Sequence, residues 1–316
     1  MTDRKCLYCY RSLEGETGDY HGSCSKAFFG TAEAPILEYT LSDMERLAGE
    51  IAIKSVAVTG VQPKLSLDLE ASPKDPKRTR LTLVGLWGSY ILKPPTKTFP
   101  HLPENEDLTM HLAEIAGTVT AEHSLIRLRS GELAYITKRF DRNNGKKIPV
   151  EDMCQLTETL TEDKYRSSME KVGKTLRQYS DAPGLDAFRL FTLTVFCYVT
   201  GNADMHLKNF SLIKSADDLT LLSPAYDLVN TRLAMPSDKE EIALTLNAKK
   251  NKMTRKDFDF FGRHLKLPEK TMHNAYAMIT NSVADMKDMI NRSFLNKESK
   301  AAYTSILEER MRKLEN

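Results

Sequence analysis

The sequence predicts an α+β protein with two lobes, a small lobe built on an antiparallel sheet and a larger lobe that is mainly helical. Short segments with alternating or β-branched residues crowd the first part of the chain, up to about residue 143. From there onward most segments have helical spacing. One of them, 185–201, is apolar almost all round, which is typical of a buried central helix.

The small lobe is expected to begin with a helix over residues 41–54, capped by Ser42 with Glu45 three residues later. A hairpin or meander should follow across 55–94, because β-branched and aromatic residues alternate there. The next segment has helical spacing and ends at Gly117. Two more strands around a Ser-Gly turn would complete one antiparallel sheet that carries one helix.

This order predicts three parts of the chain. Residues 1–30 form a Cys/His module, 31–143 form the small lobe, and 144–316 form the helical lobe. Within the last part, two short strands flank the polar loop 214–218, and the tail from about 254 is helical. The cleft between the lobes is where we expect a ligand.

Composition limits the classes of function. The chain has 45 basic and 43 acidic residues, so its formal charge of +2 predicts neither direct nucleic-acid binding nor a membrane surface. No apolar stretch approaches the roughly 20 residues that cross a bilayer. Five cysteines are an odd number in a chain of this length, which argues against a disulfide scaffold and favours the cytoplasm.

The sharpest chemical signal is the loop Gly-Asn-Ala-Asp-Met-His-Leu-Lys-Asn, which follows the apolar helix. Asp204 and Asn209 have the spacing of a carboxylate that accepts a hydroxyl proton and an amide that holds Mg²⁺ in phosphoryl transfer. Asp227 lies after the next hairpin and offers a second hard oxygen ligand. Each of these side chains alone is also a common loop cap. His206 is either part of the catalytic loop or a structural histidine.

Phosphoryl transfer also needs cations and amides near the phosphates. Lys93, at the end of an apolar strand, is the best cation, and either Glu104 or Glu106 at the start of the next helix can pair with it. A solvated lysine at a strand end is the alternative. A single-glycine turn before the sheet can bring backbone amides and one more lysine to phosphate; its members are Val58, Thr59, Gly60, Val61, Gln62 and Lys64.

Three cysteines and a histidine lie within the first 24 residues. Cys6 and Cys9 form a C-x₂-C pair, and His21 and Cys24 form an H-x₂-C pair. These ligand types suit a tetrahedral, structural Zn²⁺ site. The alternative is that the cysteines are small core residues.

The sequence resembles the HipA-like kinases of bacterial toxin–antitoxin systems. Six motifs carry the resemblance, in the order of the family, from about residue 50 to the C-terminal helices: GVQPK, YILKP, ENE before a helix, KRFDR with EDMCQL, NADMHLKN and SPAYDL. The resemblance implies an ATP- and Mg²⁺-dependent serine/threonine kinase with a two-lobed, protein-kinase-like fold. The motif YDL stands where protein kinases have DFG, so the match at Asp227 is one of position and role.

By resemblance, each motif position takes a role. Asp204 is the catalytic carboxylate with His206 beside it, and Asn209 and Asp227 hold Mg²⁺. Ser55, beside the glycine turn, resembles a serine that family members phosphorylate on themselves; otherwise it is an ordinary turn residue. The nucleotide-binding set comprises the turn residues together with Lys93, Lys138, Phe140 and Lys208, of which Lys138 and Phe140 would lie against adenine.

The resemblance also implies partners. Gly60 comes early in the chain, so the N-terminal subdomain of a full-length HipA is expected to be missing. The chain is therefore similar to the short HipT kinases, whose subdomain comes from a small separate protein of HipS type. A DNA-binding HipB-type antitoxin is the other expected partner, and an aminoacyl-tRNA synthetase is the expected class of substrate. Two other functions stay open: a scaffold that has lost transfer activity, and a kinase of lipids or small molecules.

Overall fold

The computed structural model describes residues 4–54, 63–73, 78–84, 88–143 and 145–315. The chain divides into two compact units. The first unit consists of Met1–Asp107, Ala121–Lys146 and Arg292–Phe294, and it contains the Cys/His segment. The second unit consists of Leu108–Thr120, Lys147–Asn291 and Leu295–Asn316.

The first unit is built on a five-stranded antiparallel sheet with the strand order β2-β1-β3-β5-β4. Helix α3, which starts in this unit, lies between β3 and β4 in the chain. The elements are α1 (Gly22–Phe29), α2 (Leu41–Lys54), β1 (Leu65–Ala71), β2 (Thr79–Leu83), β3 (Tyr90–Lys93), α3 (Leu102–Ile115), β4 (His123–Arg127), β5 (Leu133–Lys138) and β6 (Arg142–Asn143).

The cap of helix α2 differs from the prediction. The Thr40 hydroxyl accepts the N–H of Asp43 at 3.2 Å, and the Asp43 carboxylate accepts the N–H of Thr40 at 2.9 Å. This reciprocal pair is a capping box. Ser42 and Glu45 repeat the same spacing two residues later, but both lie inside the helix, so the predicted cap is wrong. A cap residue must precede the first helical turn, where amides have no partner within the helix.

The second unit is mainly helical, with one three-stranded antiparallel sheet in the order β10-β9-β8. Two 3₁₀ turns, Thr161–Asp163 and Leu207–Asn209, lie in its loops. From Lys146 onward the elements are β7 (Lys146–Lys147), β8 (Val150–Asp152), α4 (Met153–Leu156), α5 (Met169–Tyr179), α6 (Pro183–Val199), β9 (Ser211–Lys214), β10 (Thr220–Leu222), α7 (Thr231–Ala234), α8 (Arg255–His264), α9 (Glu269–Arg292) and α10 (Lys297–Glu315).

Helix α6 is the buried centre of the second unit, as its apolar sequence predicted. All ten of its residues from Leu190 to Val199 are buried. The chain leaves the helix through Gly201, whose φ of +71° favours glycine. The hydroxyl of Thr231 donates to the carbonyl of Gly201 at 3.1 Å and accepts the N–H of Ala203 at 2.9 Å. The exit from the helix is therefore fixed to the start of α7.

Within the described part of the chain, no helix has both the length and the apolar character that spanning a bilayer requires.

A substitution at Gly262 tests how tightly α8 packs against α6. A Cβ atom at Gly262, in α8, would lie 2.1 Å from the sulfur of Met272 and 3.1 Å from a ring carbon of Phe191 in α6. We expect Gly262→Ala to lower the free energy of unfolding by about 1–3 kcal/mol, because overpacking exceeds the gain in helix propensity. Gly184→Ala is the control, since nothing lies within 4 Å of its Cβ position. Urea unfolding measures both; equal stability of the two variants would contradict the prediction.

Candidate active site

The loop between α6 and β9 holds the backbone of Asp204 from two sides. The side-chain oxygen of Asn202 accepts the N–H of Asp204 at 3.0 Å. The side-chain amide of Asn209 donates to the carbonyl of Asp204, also at 3.0 Å. Asn202 and Asn209 are both buried. The structure therefore brings Asp204 and Asn209 together, and the amide nitrogen of Asn209 is used within the loop while its oxygen remains a candidate ligand.

The carboxylate of Asp204 is oriented by a residue that the sequence did not point to. The hydroxyl of Tyr165 donates to Asp204 Oδ1 at 2.5 Å. Tyr165 is 39% exposed, but partial desolvation and the neighbouring carboxylate raise its pKa, so the phenol stays protonated and remains a donor. Tyr165 precedes Asp204 by 39 residues, and no motif or spacing connects the two in the sequence.

His206 is a buried residue of the loop that carries Asp204. Its ring is 6% exposed and meets the ring of Tyr165 edge-on at 4.9 Å between centroids. Burial lowers the pKa of His206, and the charges of Asp204 and Asp227 oppose that shift. The net effect of these influences is a lowered pKa, which favours the neutral imidazole.

Asp227 is held in a backbone conformation that few residues adopt. Its φ is +56°, a left-handed value that aspartate tolerates better than most residues. The preceding residue, Tyr226, donates its hydroxyl to the carbonyl of Lys208 at 2.8 Å and also bonds the hydroxyl of Ser211 at 2.6 Å. Asp227 is thus fixed beside the loop that carries Asp204.

Lys208 makes an ion pair within the second unit. Its ammonium donates to Asp152, the cap of helix α4, at 2.9 Å. The predicted role of Lys208 at the nucleotide stays a prediction, and the structure adds Asp152 as its partner.

Taken together, these residues of the second unit offer two kinds of chemistry. Asp204 is an oriented carboxylate that can accept a proton from a hydroxyl group. The oxygens of Asn209 and Asp227 are hard donors of the kind that Mg²⁺ takes.

The structure decides which glutamate pairs with Lys93. The ammonium of Lys93, on β3, lies 2.5 Å from Glu106 Oε1, and both residues are 3% exposed. Glu104 instead lies 3.4 Å from the ring of His101, and burial raises its pKa. Residues two positions apart on a helix point to opposite sides, so only one of the two glutamates can face the strand.

Other predicted nucleotide-binding residues lie in the first unit. The ammonium of Lys138 pairs with Glu122 at 2.5 Å and lies 5.4 Å from the centroid of the Phe28 ring. Phe140 is half-buried and Lys64 is exposed. Six predicted residues lie outside the described residues: Ser55, Val58, Thr59, Gly60, Val61 and Gln62.

The Cys/His residues come together. One ligand atom from each of Cys6, Cys9, His21 and Cys24 lies within 4.8 Å of all the others.

The Lys93–Glu106 pair predicts a difference between two similar substitutions. Glu106→Gln should lower the free energy of unfolding by about 3 kcal/mol, because removing one partner leaves a buried charge poorly compensated. Glu104→Gln should lower it by less than about 1 kcal/mol, because its partner His101 is exposed. Chemical denaturation of the two variants measures the difference. If Glu104→Gln proves as destabilising as Glu106→Gln, the assignment of the pair is wrong.

The chain is similar to known proteins in sequence. Residues 56–287 match the model of the HipA-like C-terminal domain. The serine/threonine-protein kinase toxin HipA of Shewanella oneidensis is 28% identical over 219 residues, which are 58% of this chain and 47% of that protein. The chain thus spans about half the length of this relative.

Solved structures show the same fold. The HipA structure from Shewanella oneidensis, in complex with HipB and its operator DNA, matches with a TM-score of 0.67 at 22% identity, covering 84% of this chain and 70% of that one. The proinflammatory kinase CtkA of Helicobacter pylori matches with a TM-score of 0.54 at 15% identity, covering 74% and 87%. The fold is therefore the predicted two-lobed, kinase-like α+β fold. The chain belongs to the HipA-like C-terminal domain family.

Proposed function

We propose that this protein is an ATP- and Mg²⁺-dependent serine/threonine protein kinase that acts as the toxin of a bacterial toxin–antitoxin system. The observation that carries the proposal is the way Asp204 is fixed. Asn202 and Asn209 hydrogen-bond to its backbone, and Tyr165 hydrogen-bonds to its carboxylate. A carboxylate fixed in this way can accept the proton of a serine hydroxyl. Membership in the HipA-like family supports the same activity.

The residues fit the nucleotide that this activity requires. Lys93 is the cation for the phosphates, and its buried pairing with Glu106 holds the ammonium in one place. Asn209 and Asp227 would hold Mg²⁺ through their oxygens. When bound, Mg-ATP supplies the phosphoryl group; Asp204 positions the acceptor hydroxyl and takes its proton. Lys138, Phe140, Lys208 and the glycine turn complete the proposed nucleotide-binding set.

We further propose that the kinase phosphorylates itself on Ser55, next to the glycine turn. Support comes from the motif Ser-Val-Ala-Val-Thr-Gly, which puts a hydroxyl acceptor five residues before Gly60. Phosphorylation adds a charge of about −2 at neutral pH and three strong hydrogen-bond acceptors. Next to the glycine turn, this charge would oppose binding of the phosphates of ATP.

The proposed partners follow from the family. The HipA structure from Shewanella oneidensis includes HipB and operator DNA, which supports a HipB-type antitoxin for this chain. A small HipS-type protein is the second proposed partner, as the resemblance to the short HipT kinases implies. A cytoplasmic protein of translation, such as an aminoacyl-tRNA synthetase, is the proposed substrate.

Asp204 provides the decisive test. With labelled ATP and Mg²⁺, the purified protein should incorporate phosphate into itself, and mass spectrometry should locate it on Ser55. Asp204→Asn should reduce transfer at least about 1,000-fold, because the proton acceptor is lost. The matched control is Asp217→Asn, in the exposed hairpin loop between β9 and β10, which should keep full activity.

Other outcomes would favour the other functions. ATP binding without transfer by the wild-type chain indicates a scaffold. Labelling of a lipid or a small molecule, with no protein labelled, indicates a different acceptor. Full transfer by Asp204→Asn would overturn the assignment of the catalytic carboxylate.

We expect replacement of Tyr165 to reduce activity less than replacement of Asp204, and to act on kcat alone. Tyr165→Phe removes the hydrogen bond to Asp204 but keeps the ring against His206. Hydrogen bonds to charged groups contribute about 1.5–3 kcal/mol, so kcat should fall by about 10- to 100-fold. KM for ATP should not change, because Tyr165 positions the carboxylate and not the nucleotide. Steady-state kinetics separates the two constants; a rise in KM with unchanged kcat would refute this role.

A further inference from the structure

The Cys/His segment contains a site that the proposed kinase chemistry does not use. Cys6, Cys9, His21 and Cys24 direct three sulfurs and one ring nitrogen at a common centre. The Nδ1 atom of His21 lies 3.5 Å from the sulfur of Cys9 and 3.7 Å from the sulfur of Cys24. All four residues belong to the first unit.

These spacings match a tetrahedral metal site. Zinc bonds of about 2.3 Å to sulfur and about 2.0–2.1 Å to nitrogen place the nitrogen and sulfur of one tetrahedron about 3.6 Å apart. The two nitrogen–sulfur distances, 3.5 and 3.7 Å, bracket that value. The four ligands fill a tetrahedron, which is typical of structural zinc and leaves no position for substrate.

The second nitrogen of His21 supports the same conclusion. Its Nε2 lies 2.9 Å from the carbonyl of Ser12, which can only accept, so Nε2 carries the proton. In the neutral ring, Nδ1 then presents a lone pair to the three sulfurs. A histidine that binds a metal commonly donates its other N–H to a backbone carbonyl in this way.

The backbone is shaped to bring the ligands together. Between the first two cysteines the chain turns sharply, because the N–H of Tyr10 donates to the carbonyl of Cys6 at 2.9 Å. Tyr10 takes a φ of +62°, which is unusual for a bulky residue. His21 directly precedes helix α1, and Cys24 lies in its first turn. Two separate turns of the chain thus present one ligand pair each.

Packing does not account for the cluster. Cys6 is fully buried, but Cys9, His21 and Cys24 are each partly exposed. Cysteines that serve as small apolar residues are normally buried. A single disulfide would use two sulfurs and leave the third sulfur and the imidazole facing it. We propose that Cys6, Cys9, His21 and Cys24 bind one Zn²⁺ ion in a structural site.

The metal has a defined task in the first unit. Residues 4–21 contain no helix and no strand longer than a single bridge, so a metal can supply the cross-link that holds their turns. The zinc-held turn presents Tyr10, whose hydroxyl donates to Asp107 in α3 at 2.5 Å. The carbonyl of Leu7 accepts the N–H of Leu125 in β4 at 3.3 Å. Zinc therefore fixes a segment that braces α3 next to Glu106.

Metal content tests the proposal without any activity assay. The full chain, purified without chelators, should contain about one zinc per chain by elemental mass spectrometry. Cys9→Ser and Cys24→Ser should each lose it, and Cys154→Ser, a buried cysteine of the second unit, should retain it. A wild-type chain with less than about a tenth of an equivalent of zinc, or with iron instead, contradicts the proposal.

Two further measurements keep the test valid if a variant fails to fold. Cobalt added to the metal-free wild-type chain should give the visible absorption of a tetrahedral site with thiolate ligands; an octahedral spectrum would contradict it. Chelation should lower the thermal midpoint of wild type and Cys154→Ser by at least about 5 °C. An unchanged midpoint in both would overturn the structural role.

Discussion

The first unit depends on two adjacent carboxylates that helix α3 buries. Glu106 pairs with Lys93 on β3, and Asp107 accepts hydrogen bonds from Tyr10 and from the ring of His123 on β4. Charged groups at such depth are stable only when each has a partner. The sheet, the Cys/His segment and the candidate phosphate-binding lysine are therefore fixed to the same turn of one helix, and a shift of α3 would disturb all three.

In the second unit, a loop rich in side-chain oxygens follows the apolar helix α6 and is held in place by hydrogen bonds. Gly201 lets the chain turn out of α6, and Thr231 fixes that turn. The side chains of Asn202 and Asn209 then bond the backbone on either side of the Asp204 carboxylate. Backbone groups that would otherwise be buried without partners are thus satisfied within the loop, and the carboxylate is left for chemistry.

Much of both units could be predicted from local patterns. The buried helix α6, the hairpin of β9 and β10 and the helical tail follow from periodicity and turn residues, which act within a few positions. The cap of α2 could not be predicted in this way. Thr40 with Asp43 and Ser42 with Glu45 both have the spacing of a capping box, and only the position of the first helical turn shows that Thr40 is the cap. Of the candidate site, the loop residues were predictable and their orienting partners were not.

By itself, the sequence determined which chemical groups are available and their order: the Asp204–Asn209 spacing, Asp227 after a hairpin, Lys93 at a strand end and the paired Cys and His residues near the start. These are short-range features that one stretch of chain encodes. Only the tertiary structure decided that Glu106 and not Glu104 meets Lys93, and that Tyr165 orients Asp204. Such contacts join residues far apart in the chain, and they depend on how helices and strands are rotated when their apolar faces pack.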